Sequence, residues 1–135
     1  MGTLLKNLVN LAALVLILFS QVDPVMAQAT PTLVSYSVVC DDPNIKLIVE
    51  QKVVAAIQGL KGYSVDTLGK SETKLVFVVA TFKRKKEKGE DVVGLAVATL
   101  GHQGGKITHF ENRTFSLETY EDGLTKLVPH MLGGQ

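Results

Sequence analysis

Three histidines and one cysteine are the residues best suited to metal or nucleophilic chemistry in this chain of 135 residues. His102 lies in the glycine-rich stretch GHQGG, His109 in KITHFENRTFSL, and His130 close to the C-terminus. A helical zinc site needs two ligands on one face, as in His-x-x-x-His, and no pair of these histidines has that spacing. His102, His109 and an acid would supply suitable ligand types, but nothing in their spacing joins them. The ordinary reading is polar surface histidines. The sequence therefore predicts no metal site and no cofactor.

Cys40 has no partner motif. It sits just before a helix start, which favours a thiolate, yet Asp41 and Asp42 beside it oppose that charge. No catalytic residue is assigned. The enzymatic alternative is a small secreted enzyme or inhibitor with a site around Cys40, His102 and His109, assembled from parts distant in sequence. GHQGG (residues 101–105) could pass for a phosphate loop, but such a loop precedes a helix and this one precedes a strand pattern, so it reads as a hairpin turn. Asn112-Arg113-Thr114 is a glycosylation sequon, meaningful only in a eukaryotic secretory route, and it falls inside a strand pattern.

The charged run KRKKEKGED (residues 83–91) is the other candidate. It separates two apolar strand patterns, and Gly89 marks the place where the chain reverses. Charged tips keep a hairpin soluble and discourage further strand pairing. The competing reading is an electrostatic contact of Lys83, Arg84, Lys85, Lys86 and Lys88 with an anionic surface: lipid head groups, cell-wall polymer or an acidic partner. Glu87, Glu90 and Asp91 dilute that field, so the expectation is mainly a turn.

Residues 1–27 carry the three-part layout of a secretory signal peptide. Lys6 precedes an unbroken apolar stretch from Leu11 to Phe19, Asp23 and Pro24 end it, and Val25-Met26-Ala27 supplies a cleavage site after Ala27, with Ala29 as the alternative. That stretch is far short of the about 20 apolar residues that a membrane span requires. No cysteine follows at the cut to be lipid-modified. Cys40 is the single cysteine, so the fold holds without an internal disulfide, and the thiol is either free or bridged to another chain. Cleavage leaves 108 residues with a net charge still near +1, because the leader contains one lysine and one aspartate. That length suits one domain, and the neutral balance argues against nucleic-acid binding. Export places the protein in the periplasm or, alternatively, outside the cell.

These residues must be positioned by the elements of residues 33–132, preceded by a short flexible tail at 28–32. Leu33 to Cys40 alternates as a strand, with Val34, Tyr36 and Val38 on one side. Asp41 or Asp42 caps a helix that has Pro43 at its first position. Its apolar stripe is Ile45, Ile48, Val49, Val53, Ala56, Ile57 and Leu60, and Gly62 is its expected stop. After GYSVDTLGKSET, a short strand and loop, KLVFVVATFKRKKEK is apolar on both faces near its start and reads as a central strand. EDVVGLAVATLG follows, where Gly94, Ala96 and Ala98 form a small-residue face suited to close approach of a helix. KITHFENRTFSL is another strand, with a bulge expected between Phe110 and Phe115. A second helix carries Tyr120, Leu124, Leu127, Val128 and Met131, with Thr119 and Asp122 as a capping box, Gly123 weakening it and Pro129 limiting it. The order β-α-(β)-β-β-β-α predicts an α+β two-layer sandwich: a mainly antiparallel sheet of four to five strands with two helices on one face.

The succession of an amphipathic helix ending in LKGYSVDT, the long strands KLVFVVATFKRK and VVGLAVATLG, and a closing helix resembles a group of small bacterial envelope domains. They are related to the TolB amino-terminal domain, the curli-secretion lipoprotein and penicillin-binding-protein activators. Here the acylated cysteine common among those lipoproteins is absent, and GHQGG replaces their D-x-x-T-G hairpin. The resemblance implies a non-catalytic module that binds an envelope protein or associates with its own kind. A cystatin-like inhibitor shares the outline, but the Q-x-V-x-G loop is missing. Two helices cover only one sheet face, so self-association through the other face is a third expectation.

Overall fold

The computed structural model describes residues 30–133. The leader and its cut after Ala27 lie outside the described residues. Seven elements follow: β1 (Thr32–Cys40), α1 (Pro43–Gln58), β2 (Tyr63–Val65), β3 (Thr73–Lys85), β4 (Glu90–Gln103), β5 (Lys106–Ser116) and α2 (Tyr120–Met131). The strands form one sheet in the order β2-β1-β3-β4-β5. β3, β4 and β5 are an antiparallel meander, while β1 pairs in parallel with both β2 and β3. β3 is central, as its two apolar faces require. No helix among the described residues is long and apolar enough to cross a membrane.

Both helices pack on one face of the sheet. Phe77, Leu75 and Val79 of β3 and Leu95 and Val97 of β4 meet Val49, Val53 and Ile57 of α1 and Leu124, Leu127 and Val128 of α2. Asp42 caps α1 by accepting from the N–H groups of Asn44 and Ile45, with Pro43 as the first helical residue. α1 closes at Gly59, a turn earlier than expected, and Gly62 takes its positive φ in the following turn.

Three local expectations are corrected. Gly94, Ala96 and Ala98 do not lie beneath a helix. They share the uncovered face with Phe82, Ala80 and Val78, their register partners on β3, because the larger Leu95 and Val97 take the core side. The bulge in β5 falls at Thr108, where the β4 register shifts between Gly101 and His102. Pairing is regular from His109 to Ser116, and Phe110 and Phe115 simply occupy opposite faces. Thr119 makes no side-chain cap bond. Its hydroxyl instead lies 2.8 Å from that of Ser116.

The two hairpin turns follow their sequences. Gly104 and Gly105 have φ of 57° and 77°, the left-handed pair that a two-residue hairpin needs and glycine adopts without strain. At the charged tip, Lys86 N–H donates to Gly89 C=O at 3.1 Å, and the chain reverses there.

Candidate functional site

β5 is an edge strand, and its alternation sends His109, Glu111, Arg113 and Phe115 to the helix side. Their register partners Gly101, Thr99, Val97 and Leu95 explain how a polar run fits there. Gly101 adds no bulk beside His109, and Thr99, itself buried, donates its hydroxyl to the Glu111 carbonyl at 3.2 Å. From above, the last turn of α2 brings in His130. The end of α2 is tied to β2 by the Tyr63 hydroxyl, which donates to Leu132 C=O at 3.1 Å.

These elements converge on one carboxylate. Glu111 Oε2 is 3.2 Å from His109 Nε2 and 3.7 Å from His130 Nε2, while Oε1 is held by Arg113 Nε. The imidazoles stand edge to face, 5.3 Å between centroids. The Arg113 hydrogen bond holds the Glu111 carboxyl below the usual range, with the charges of Arg113, His109 and His130 adding to the effect against partial desolvation. Glu111 is therefore an anion at neutral pH. Beside the cluster is a cavity of about 320 Å³ whose lining includes Thr73, Gly101, His102, Thr108, His109 and His130.

The set envisaged from sequence is split. Cys40 ends β1 opposite Val79 of β3, whereas His109 lies level with Leu75 by way of Gly101. That is four residues along the sheet, about 13 Å, and three strand spacings, about 14 Å, across it. Desolvation and the neighbouring Asp41 and Asp42 carboxylates raise the Cys40 thiol, against a backbone hydrogen bond at Asp42 that lowers it. It is a thiol at neutral pH, not a nucleophile poised as thiolate. His102 lines the cavity but lies outside the carboxylate cluster. His130 takes the place beside His109 that the sequence reading gave to His102. The readable signal was His-x-Glu-x-Arg, a polar i, i+2, i+4 row on one strand face; that α2 would deliver His130 to it is tertiary information.

The charged run forms the tip of the β3–β4 hairpin. Arg84 lies opposite Asp91, Lys85 opposite Glu90, and Lys86 pairs with Asp91 through its ammonium group. Lys83, Lys85, Lys86 and Lys88 are exposed, so the run presents cations that acids within it partly offset.

The opposite face of the sheet carries a different kind of feature. Val39, Val78, Phe82 and Phe110 stand there, exposed by 56%, 48%, 48% and 68%. Phe77 and Val79 of β3 are buried on the helix side, and their neighbours Val78 and Phe82 belong to the open surface. Between Phe82 and Phe110 the surface is shallow, floored by Ala80, Ala96 and Ala98. It spans four strands, about 14 Å, and from Val76 to Phe82, about 20 Å.

No protein-family model matches the chain, and no curated protein matches it in sequence. Among solved structures it is similar to a substituted PelC dodecamer from Paraburkholderia phytofirmans, at 13% identity and a TM-score of 0.53, covering 79% of this chain and 92% of that one. A second PelC dodecamer from the same organism gives 14% identity and a TM-score of 0.48, covering 81% and 92%. A minor lipoprotein of Acinetobacter baumannii gives 14% and 0.45, covering 76% and 91%. At 13% identity the first of these likenesses is one of fold alone.

Proposed function

We propose that the chain is an exported, non-catalytic module of the bacterial cell envelope that works by association, its open sheet face docking against a second copy of itself. The observation that carries this reading is that face. The largest apolar patch on a soluble monomer is commonly about 300–600 Å² and often functional, and a patch with a polar rim marks a contact site. Here the patch footprint is roughly 300 Å² from strand spacing alone. It suits the centre of an interface of about 800 Å² per partner, with a polar rim completing it. Its small-residue floor lets another surface approach closely. The similar fold of PelC, described as a dodecamer, supports self-association as the form of assembly. The leader pattern supports export, and Cys40 as a buried-shifted thiol far from the histidines supports a non-catalytic role.

Light scattering after size exclusion, across a concentration series, tests the association. The parent is expected to assemble, and Val78→Lys with Phe110→Lys to shift it to monomer without lowering its melting midpoint. A parent that stays monomeric at high concentration refutes self-association. An assembled parent that both substitutions leave intact moves the interface elsewhere. Amino-terminal sequencing of protein recovered from the periplasm tests export, and the expected first residue is Gln28.

A further inference from the structure

We propose that His109, Glu111 and His130 form a binding site for a divalent transition-metal ion of the zinc type, joining the C-terminal turn of α2 to the edge strand β5. The site is independent of the association surface, which lies on the other face of the sheet.

Two imidazoles and one carboxylate suit borderline ions such as zinc, and their ligand atoms all lie within 4.8 Å of one another. Ligands bound tetrahedrally at about 2.0–2.2 Å are separated by about 3.3–3.6 Å. Glu111 Oε2 is 3.2 and 3.7 Å from the two Nε2 atoms, so two of the three edges lie close to that length, one just below it and one just above. The third closes by a small movement of His130, whose side chain is 61% exposed and free to turn.

A second observation concerns His109 Nε2. This atom is enclosed and has no hydrogen-bond partner among the described residues, although Glu111 Oε2 is only 3.2 Å away. Distance permits the bond and direction does not: an N–H there would not aim at the oxygen. A neutral ring with its proton on Nδ1 would instead present a lone pair at Nε2. That lone pair lies along the same direction as the N–H would, to one side of Glu111 Oε2, and a cation placed there is within reach of both ligand atoms.

The surroundings fit a ligand set. Arg113 engages Oε1 and leaves Oε2 for the ion, orienting the carboxylate as outer partners of metal ligands do. It also keeps Glu111 ionised, as a ligand must be. The C-terminal end of α2, where His130 sits, carries partial negative charge favourable to a cation. The Arg113 charge opposes the ion, which makes this a modest site and leaves its fourth position for water or a group supplied from the adjoining cavity.

The test uses untagged full-length protein, treated with chelator, then titrated with zinc against a fluorescent competitor and with cobalt(II) followed by visible absorption. The expected result is one equivalent bound per chain and a rise in melting midpoint with zinc. Glu111→Gln and His130→Ala should each weaken binding by more than tenfold and abolish that rise. His102→Asn and Cys40→Ser should bind as the parent does. Circular dichroism verifies folding, and His130→Ala, at an exposed position, provides a variant that keeps its fold. A parent without stoichiometric binding overturns the proposal, as does a folded His130→Ala or Glu111→Gln variant that binds normally.

Discussion

Replacing Gly123 by alanine should destabilise this protein, although the same change in an ordinary helix interior stabilises it by about 1 kcal/mol. Gly123 lies in the first turn of α2, over β5. A Cβ built there would fall 2.7 Å from Phe115 Cδ1 and closer still to Cε1, inside any tolerated contact. Either the Phe115 ring leaves its rotamer or α2 lifts from the sheet edge, and such overpacking costs about 1–3 kcal/mol. Set against the helix gain, the net effect is a loss of about 1 kcal/mol. For a domain of this size that lowers the melting midpoint by roughly 4–8 °C. Thermal and urea unfolding of Gly123→Ala, Phe115→Ala and the double variant form the assay. In the Phe115→Ala background, where the ring is gone, Gly123→Ala should raise stability by about 1 kcal/mol. The sign reversal is the diagnostic result. A single Gly123→Ala variant at least as stable as the parent would refute the close-approach argument.

Phe77→Ala should cost about 3–5 kcal/mol in urea unfolding, since the ring is fully buried on the central strand between both helices. Asp42→Ala should cost about 1 kcal/mol by orphaning the Asn44 and Ile45 N–H groups, and a loss below a few tenths would show that solvent caps α1 equally well. On the acid side, partial desolvation raises the Asp66 carboxyl, but N–H groups of Leu68, Ser71 and Lys70 outweigh it and hold it below its usual 3.8. Asp41, held mainly by the Thr81 hydroxyl, is lowered too. Depressed carboxyls contribute stability that is present above their unfolded values and lost as pH falls through the folded ones. Melting midpoints should therefore drop below about pH 4, and Asp66→Asn should be weaker at neutral pH with a shallower acid decline. Reversing Lys83, Arg84 and Lys88 to glutamate should change stability by no more than about 0.5 kcal/mol. It should also leave binding to anionic vesicles at low salt unchanged, as expected of a soluble turn; a salt-sensitive loss of binding would instead establish an anionic contact.

Much of the architecture was legible because strong periodicity wrote it. The stripes of α1 and α2, the two-faced apolar β3 and the paired glycines at 104 and 105 each follow from a local rule. What was misread depended on which face met which partner. The small residues of β4 looked like a helix seat, yet in a mixed sheet the larger Leu95 and Val97 win the buried side, since burial of apolar area decides the orientation. Thr119 resembled a cap but turned to Ser116. The His109–Glu111–His130 cluster joins residues up to 21 positions apart through helix docking, so no spacing rule could have gathered it.

Among the described elements β1 is made first, yet both of its sheet partners come later: β2 from Tyr63 and β3 from Thr73. A chain cut off after α1 has a strand with no neighbour on either edge. β1 becomes an interior strand only after more than thirty further residues have been made, when β3 reaches its place. Non-local parallel pairing of this kind closes slowly, because the intervening loop entropy is spent before the contacts form. The order of elements thus leaves β1 without either sheet neighbour until β2 and β3 have been made. The β3–β4–β5 hairpins join sequence neighbours and have short loops to close, so pulse-labelled hydrogen exchange is expected to show them protected before β1 is laid on β3.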